Sequence, residues 1–566
     1  MGFKEYQYSR VQLCPIDKNI TDIPARIEKA ADYNEALKLY GEYETFREHL
    51  FTMYNLAYFR YIINTHDEFY AAEVEYYDMN LPKHDELANA VNAALAACPW
   101  RKEFEKEISP VFFKNAELKA KAFSPDIMEE LAQESRLQTA YQKLMAGARI
   151  PFDGRELTFP QLTPYKESPE REIRKAAFFA EGGFLEQHAQ ELDGIYDELV
   201  KVRTRIAQKL GYDNFLPVGY ARRTRNCYGP KEVAAFRRQV VKDIVPVNNE
   251  LLRRQHERNG IKNPTAYDRT LICRHGNAAP KDTPEVIFEK GAHMYEAMGE
   301  KTGEFFRFMR DNQLFDVLSK DGKANGGYCE MLPDYKAPFV FANFNGTSGD
   351  IEVLTHECGH AFEGYLSARN YPHFAQRDIT MDIAEIHSMS MEFFTYPYMK
   401  DFFTEDTDKF IYAHLSEALK FLPYGCMVDH FQEEVYLHPE MTPAQRREKW
   451  LELEKVYRPD IDWADIPHYG TGGWWQRQLH IYMDPFYYID YCLAQTVALE
   501  FWNMLQKDRD DAWKHYMAYT VQGGSRTFTK LLENAGLESP FDENCLRGVC
   551  ETAKDWLDHY DLTGLE

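Results

Sequence analysis

Long apolar runs are missing from this 566-residue chain. No stretch approaches the ~18 to 20 apolar residues of a membrane-crossing helix, and the opening MGFKEYQYSRVQLCPIDKN has no apolar run of signal-peptide length. Gly2 is followed by Tyr6 where an N-myristoylation signal wants Ser or Thr. Positive charge is also short: 66 Lys and Arg stand against 90 Asp and Glu, a formal charge of -24. A phosphate-binding surface needs the opposite balance, so no nucleic-acid partner is expected. The ten cysteines include no C-x-x-C pair and no framework of a small secreted domain, and read as reduced, mostly buried thiols. Repeats and low-complexity segments are absent too. A cytoplasmic protein without a membrane or nucleic-acid partner is expected; the oligomeric state is not legible.

What is present is helical periodicity. From about residue 22 to 147 apolar and aromatic residues recur at intervals of three and four, the spacing of one buried helix face. Around 149–162 the pattern changes to alternation about Asp153-Gly154, the chemistry of a tight hairpin turn. Helical spacing then resumes, with Gly211 placed to end a helix. A second break, DGKANGGYCEMLPDYKAPFVFANFNGTSGD, contains the strand-like run 338–344, and helices follow it apart from the Gly-rich loop HYGTGGWW at 468–475. The expected organisation is an N-terminal helical lobe over 1–200, with the hairpin near 150–162, and a catalytic lobe over 201–566.

The segment IEVLTHECGHAFEGYL carries His356-Glu357-x-x-His360. A helix stacks residues four apart on one face, so both imidazoles can converge on one ion, while Glu357 reaches a water at that ion as general base. A catalytic zinc takes three protein ligands and an open position, so a third ligand is required. Position 366, where a metzincin places His, is Leu366, and position 363, where it places Gly, is Glu363. Glu363 lies a turn beyond His360, ~4.5 Å along the axis, too far to complete the site and better suited to a supporting or surface role. Ile379 and Thr380 occupy the positions where thermolysin-like enzymes place their Glu. On the next helix, RDITMDIAEIHSMSMEFFTYPYMK, the acids Asp378, Asp382, Glu385 and Glu392 share a face among largely apolar neighbours. Glu385 is expected to be the third ligand, with Asp382 and Glu392 orienting imidazoles. Cys358, off the histidine face, reads as an inert buried thiol.

HECGHAF followed by AEIHSMSMEFF resembles the thimet oligopeptidase and oligoendopeptidase F family of zinc metallopeptidases. KLGYDNFLPVGYARRTRN (209–226), NGGYCEML, PFVFANF and HIYMDPFYYIDY extend the likeness over most of 150–566, nearest to the bacterial Pz-peptidase type. The resemblance implies a mainly α fold: two helical lobes flanking a deep substrate channel, a small β-sheet near the metal, and one zinc per chain. It also implies hydrolysis of short unfolded oligopeptides, the expected partners, with His480, Tyr488 and Tyr491 binding substrate and stabilising the tetrahedral intermediate; His468 and Tyr482 are weaker candidates. The spacing from His480 to Tyr491 departs slightly from the thimet pattern, which leaves the register of the tyrosines open. In the expected reaction Glu357 takes the proton of an attacking water and returns it to the leaving amine, APFVFANF pairs with an extended substrate, and the loops NGGYC and HYGTGGWW close on it. A non-catalytic helical peptide-binding protein and a zinc exopeptidase are the rival readings.

Overall fold

The three-and-four spacing becomes helix through most of the computed structural model, which describes residues 2–320, 322–324 and 326–565. Long helices span Tyr33–Ile63, Glu68–Ala97, Met128–Ala146, Ala189–Lys209 and Thr407–Leu437. Their ends follow local chemistry: Asp32 accepts from the Glu35 N–H at the start of the first. Gly211, at φ 84°, ends Ala189–Lys209, where the Tyr212 N–H turns back to the Ala207 carbonyl. Among the described residues no helix is long and apolar enough to cross a membrane.

The hairpin consists of β1 (Ile150–Phe152) and β2 (Arg155–Leu157), joined through Asp153 and Gly154, both at positive φ. It is shorter than the alternation suggested, because Thr158 already caps a helix over Phe159–Lys166. A second sheet holds β3 (Phe315–Leu318), β4 (Tyr328–Leu332) and β5 (Ala337–Phe344) in the order β3-β5-β4. β5 is therefore the central strand, parallel to β3 and antiparallel to β4. Its run APFVFANF is buried along nearly its whole length, as expected of a strand covered on both faces.

One hydrophobic core runs from Phe3 to Leu565, and a second cluster fills the N-terminal helices from Ile23 to Phe113. The architecture is mainly α, two helical lobes with small sheets. Buried ion pairs tie distant segments together: Glu134 accepts from Arg203 and Arg222, and Asp268 from Arg171 and Arg174.

Candidate metal centre

β5 leads into the helix Gly349–Asn370, whose first turn is pinned when Asp350 accepts from the backbone N–H groups of Asn345 and Gly346. This helix presents His356 and His360. It crosses the helix Met381–Phe394 at Gly359, where an added Cβ would lie 2.6 Å from both the His387 carbonyl oxygen and Ser388 Cα. The glycine thus sets the helix separation, and that separation carries Glu385 to the imidazoles. Glu385 Oε2 lies 3.2 Å from His356 Nε2 and 3.3 Å from His360 Nε2. All three ligand atoms fall within 4.8 Å of one another. Donors ~2.05 Å from a tetrahedral zinc are separated by about 3.3 Å, so the donor set and its spacing fit that ion.

Burial pushes the Glu385 carboxyl up, but His360 and His356 outweigh it and hold it well below the usual carboxylate range. Two further donors fix it: Ser388 Oγ bonds Oε2 at 2.9 Å, and the Tyr487 hydroxyl bonds Oε1. His356 turns Nε2 to Glu385 because Nδ1 is engaged by Glu392 Oε1 at 2.7 Å. Glu357 is buried, and its Oε2 has no hydrogen-bond partner within the chain. Burial raises its pKa, against the pull of His356 and His360. A buried carboxylate oxygen without a donor is costly unless something else meets it, which suits a base awaiting a water.

The expected acidic stripe divides. Glu385 and Glu392 face the histidines, whereas Asp382 orients no imidazole: it accepts from Tyr228 and Thr380, and burial with Asp490 nearby pushes it up to about 6. Asp378 turns to Lys119, 3.1 Å away. Glu363 is neither surface acid nor support for the imidazoles; it is buried with Oε1 unpartnered, and burial pushes its pKa up to about 8. Cys358 is fully buried, and burial raises its thiol pKa.

His480, Tyr487, Tyr488 and Tyr491 form an aromatic group beside Glu385. Tyr487 touches the carboxylate; its ring lies 5.3 Å from that of His480 and 4.8 Å from that of Tyr491. Tyr488 packs on Phe421 and Tyr424, with its ring 5.1 Å from that of His480 and 5.6 Å from that of Tyr491. Sequence reasoning missed Tyr487, although its spacing of four to Tyr491 is a same-face signal. Gln478 Nε2 donates to His480 Nδ1 while its Oε1 accepts from Tyr424, which leaves the His480 Nε2–H as a donor. Arg223, in the YARRTRN segment, lies 4.2 Å over the Tyr487 ring.

The weaker candidates are packing residues. Tyr482 stacks on Tyr141 at 3.9 Å and bonds the Leu192 carbonyl. His468 is buried against Gly473, and burial pushes it down to about 4. In the loop 468–475, Tyr469, Gly472, Gly473 and Trp475 are buried, while Gly470 and Thr471 are exposed.

The strand beside the site is β4. Val340 N–H donates to the Leu314 carbonyl, on the β3 side, so the pair Cys329↔Val340 lacks mutual hydrogen bonds and the Cys329 N–H and C=O point away from β5. Gly327, just before β4, lies against Glu357 Oε1. β4 is thus an edge strand whose Cys329 N–H and C=O are left unpaired by β5, and APFVFANF, paired on both sides, cannot accept a further strand.

Comparison with known proteins agrees with this geometry. Residues 164–550 match the model of peptidase family M3, and residues 3–123 match the peptidase M3 N-terminal domain. An oligoendopeptidase F homolog of Lactococcus lactis subsp. lactis (strain IL1403) is 22% identical over 68% of this chain and 63% of its own. One of Borreliella burgdorferi is 25% identical over 44% and 42%. The chain thus matches less than two thirds of the length of these curated relatives. A solved structure of Pz peptidase A with an inhibitor superimposes with a TM-score of 0.96 at 44% identity, covering 99% of both chains. One named as an oligoendopeptidase F of Bacillus anthracis str. Ames reaches 0.90 at 42%, again over 99% of both. The chain belongs to peptidase family M3.

Proposed function

We propose that this protein is a zinc-dependent endopeptidase that hydrolyses internal bonds of short, unfolded oligopeptides. The observation that carries the reading is the convergence of His356, His360 and Glu385 beside the unpartnered Glu357 carboxylate. One zinc held by those three residues would supply Lewis-acid activation of a water and of the scissile carbonyl. Glu357 accepts the proton of the attacking water and delivers it to the leaving nitrogen. The His480 Nε2–H and the Tyr491 hydroxyl lie beside these residues, where donors stabilise a developing oxyanion, while the Tyr487 hydroxyl is committed to Glu385. Tyr488, whose ring meets that of His480 edge-on, assists by holding it.

An extended substrate adds to the outward edge of β4 at Gly327 and Cys329, which sets its carbonyl against Glu357. We assign the lobes to 1–200 and 201–566, and the separate family matches support two units. Ten free cysteines suit a reducing, cytoplasmic setting.

The test is hydrolysis of an internally quenched peptide of about eight residues, blocked at both ends, by wild type and Glu357→Gln, with zinc quantified in each. Expected are cleavage by wild type, a loss of about 10²- to 10⁴-fold in the variant, and about one zinc per chain in both. Cleavage restricted to peptides with a free terminus would show an exopeptidase. Bound zinc without any cleavage would favour a peptide-binding protein.

A further inference from the structure

Glu392 uses both of its oxygens. Oε1 meets His356 Nδ1 at 2.7 Å, and Oε2 meets Nε2 of a second histidine, His414, at the same distance. His414 Nδ1 in turn meets the Tyr396 hydroxyl, again at 2.7 Å. The roles along this chain are fixed by the metal-facing end. With His356 Nε2 turned to Glu385, its Nδ1–H donates to Glu392; the His414 Nε2–H donates to the other oxygen; Tyr396 O–H donates to His414 Nδ1. Each group has its partner, and no polar atom of His414 is orphaned.

The surroundings leave His414 little freedom. Phe410 stacks on its ring, and Phe393 meets it edge-on. It projects from Thr407–Leu437, a helix that supplies no metal ligand but presents His414, Glu417, Phe421 and Tyr424 on one face at spacings of three and four. Phe421 and Tyr424 pack on Tyr488, and Phe421 also on Tyr491. One helix therefore braces the aromatic group with its middle and, through Glu392, reaches His356 with its first half.

We propose that His414 is a positioning residue of the metal centre: by fixing Glu392 it sets the orientation of the His356 imidazole and so the retention of the ion. This rests on the metal reading given above. A free carboxylate rotates about its terminal torsion; one held at its far oxygen by a caged imidazole presents its near oxygen in one place, and pre-organised ligands hold a metal more tightly. A histidine buried only to fill space would not need a carboxylate on one nitrogen and a phenol on the other.

The experiment follows zinc loss from the loaded full-length chain into excess chelator, together with the visible spectrum of the cobalt-substituted protein, and uses no peptide. His414→Leu is expected to release zinc about 10- to 100-fold faster with the fold intact by circular dichroism. His414→Gln, whose amide N–H sits near the lost Nε2–H, should stay near wild type. His414→Leu in a Glu392→Ala background should add nothing to Glu392→Ala, since the effect runs through that carboxylate. A wild-type release rate and unchanged cobalt spectrum in His414→Leu, or full additivity in the double variant, would overturn the proposal. Should His414→Leu fail to fold, His414→Asn against His414→Gln decides: Asn cannot reach Glu392 and should release faster, and equal rates would refute the role. Failure of peptide hydrolysis would count against the endopeptidase reading alone, whereas a wild-type chain that binds no zinc would remove both.

Discussion

At the residue scale the site depends on small differences in direction among neighbouring side chains. Tyr487 and Tyr488 are adjacent in sequence, yet one donates to Glu385 and the other packs on Phe421 and Tyr424. Losing a hydrogen bond to a charged group costs about 1.5–3 kcal/mol. Tyr487→Phe should therefore weaken zinc binding about 10- to 100-fold, while Tyr488→Phe changes it by less than about threefold. Competition with a chelator of known affinity measures both, and equal losses would show that the carboxylate does not depend on Tyr487. The legible part of the site was the local part: His356, Glu357 and His360 lie on one helix, where spacing alone fixes their relation. Ser388, Tyr487 and His414 were not legible, because hydroxyls and imidazoles are common in this chain and only the crossing of helices shows which of them meet Glu385 or Glu392.

At the scale of elements, the contact of the helices that carry His356, His360 and Glu385 is the decisive joint. Gly359 leaves no room for a Cβ against the His387–Ser388 backbone, and backbone does not yield as a flexible side chain would. Gly359→Ala is expected to cost about 1–3 kcal/mol of stability by overpacking. Because the helices must part, it should also lower zinc affinity, as Glu385 is carried away from the imidazoles. Thermal unfolding and zinc titration check the two effects; a variant with wild-type values for both would show that the helices slide without penalty. The sheet teaches a similar lesson. The strand-like run 338–344 was recognisable from composition, but its place between β3 and β4 was not, since strand order depends on pairing across long stretches of chain. That order puts β5 in the middle and leaves β3 and β4 as the edge strands.

At the scale of the whole molecule, buried ion pairs join segments far apart in sequence, and one of them gives the fold an acid limit. Burial pushes Glu134 up, but Arg222 and Arg203 outweigh it and hold its pKa at about 2, against an ordinary 4.5. A depressed carboxylate pKa stabilises the fold above the unfolded value and loses that contribution as pH falls toward the folded one. The shift corresponds to on the order of 3 kcal/mol, with about 2 kcal/mol gone by about pH 3. Denaturant midpoints at about pH 6 and about pH 3 should therefore fall further for wild type than for Glu134→Gln, which starts less stable; parallel falls would place the acid sensitivity elsewhere. By itself the sequence determined the helical class, the placing of His356, Glu357 and His360 on one helix, and the hairpin turn, because each follows from periodicity or local spacing. Only the tertiary structure decided that Glu385 and Glu392 face the histidines while Asp382 and Asp378 do not, that Tyr487 bonds Glu385, and that β4 rather than β5 stands at an edge of its sheet. Those choices depend on how closely helices cross and which strands pair, and these are set by packing between residues distant along the chain.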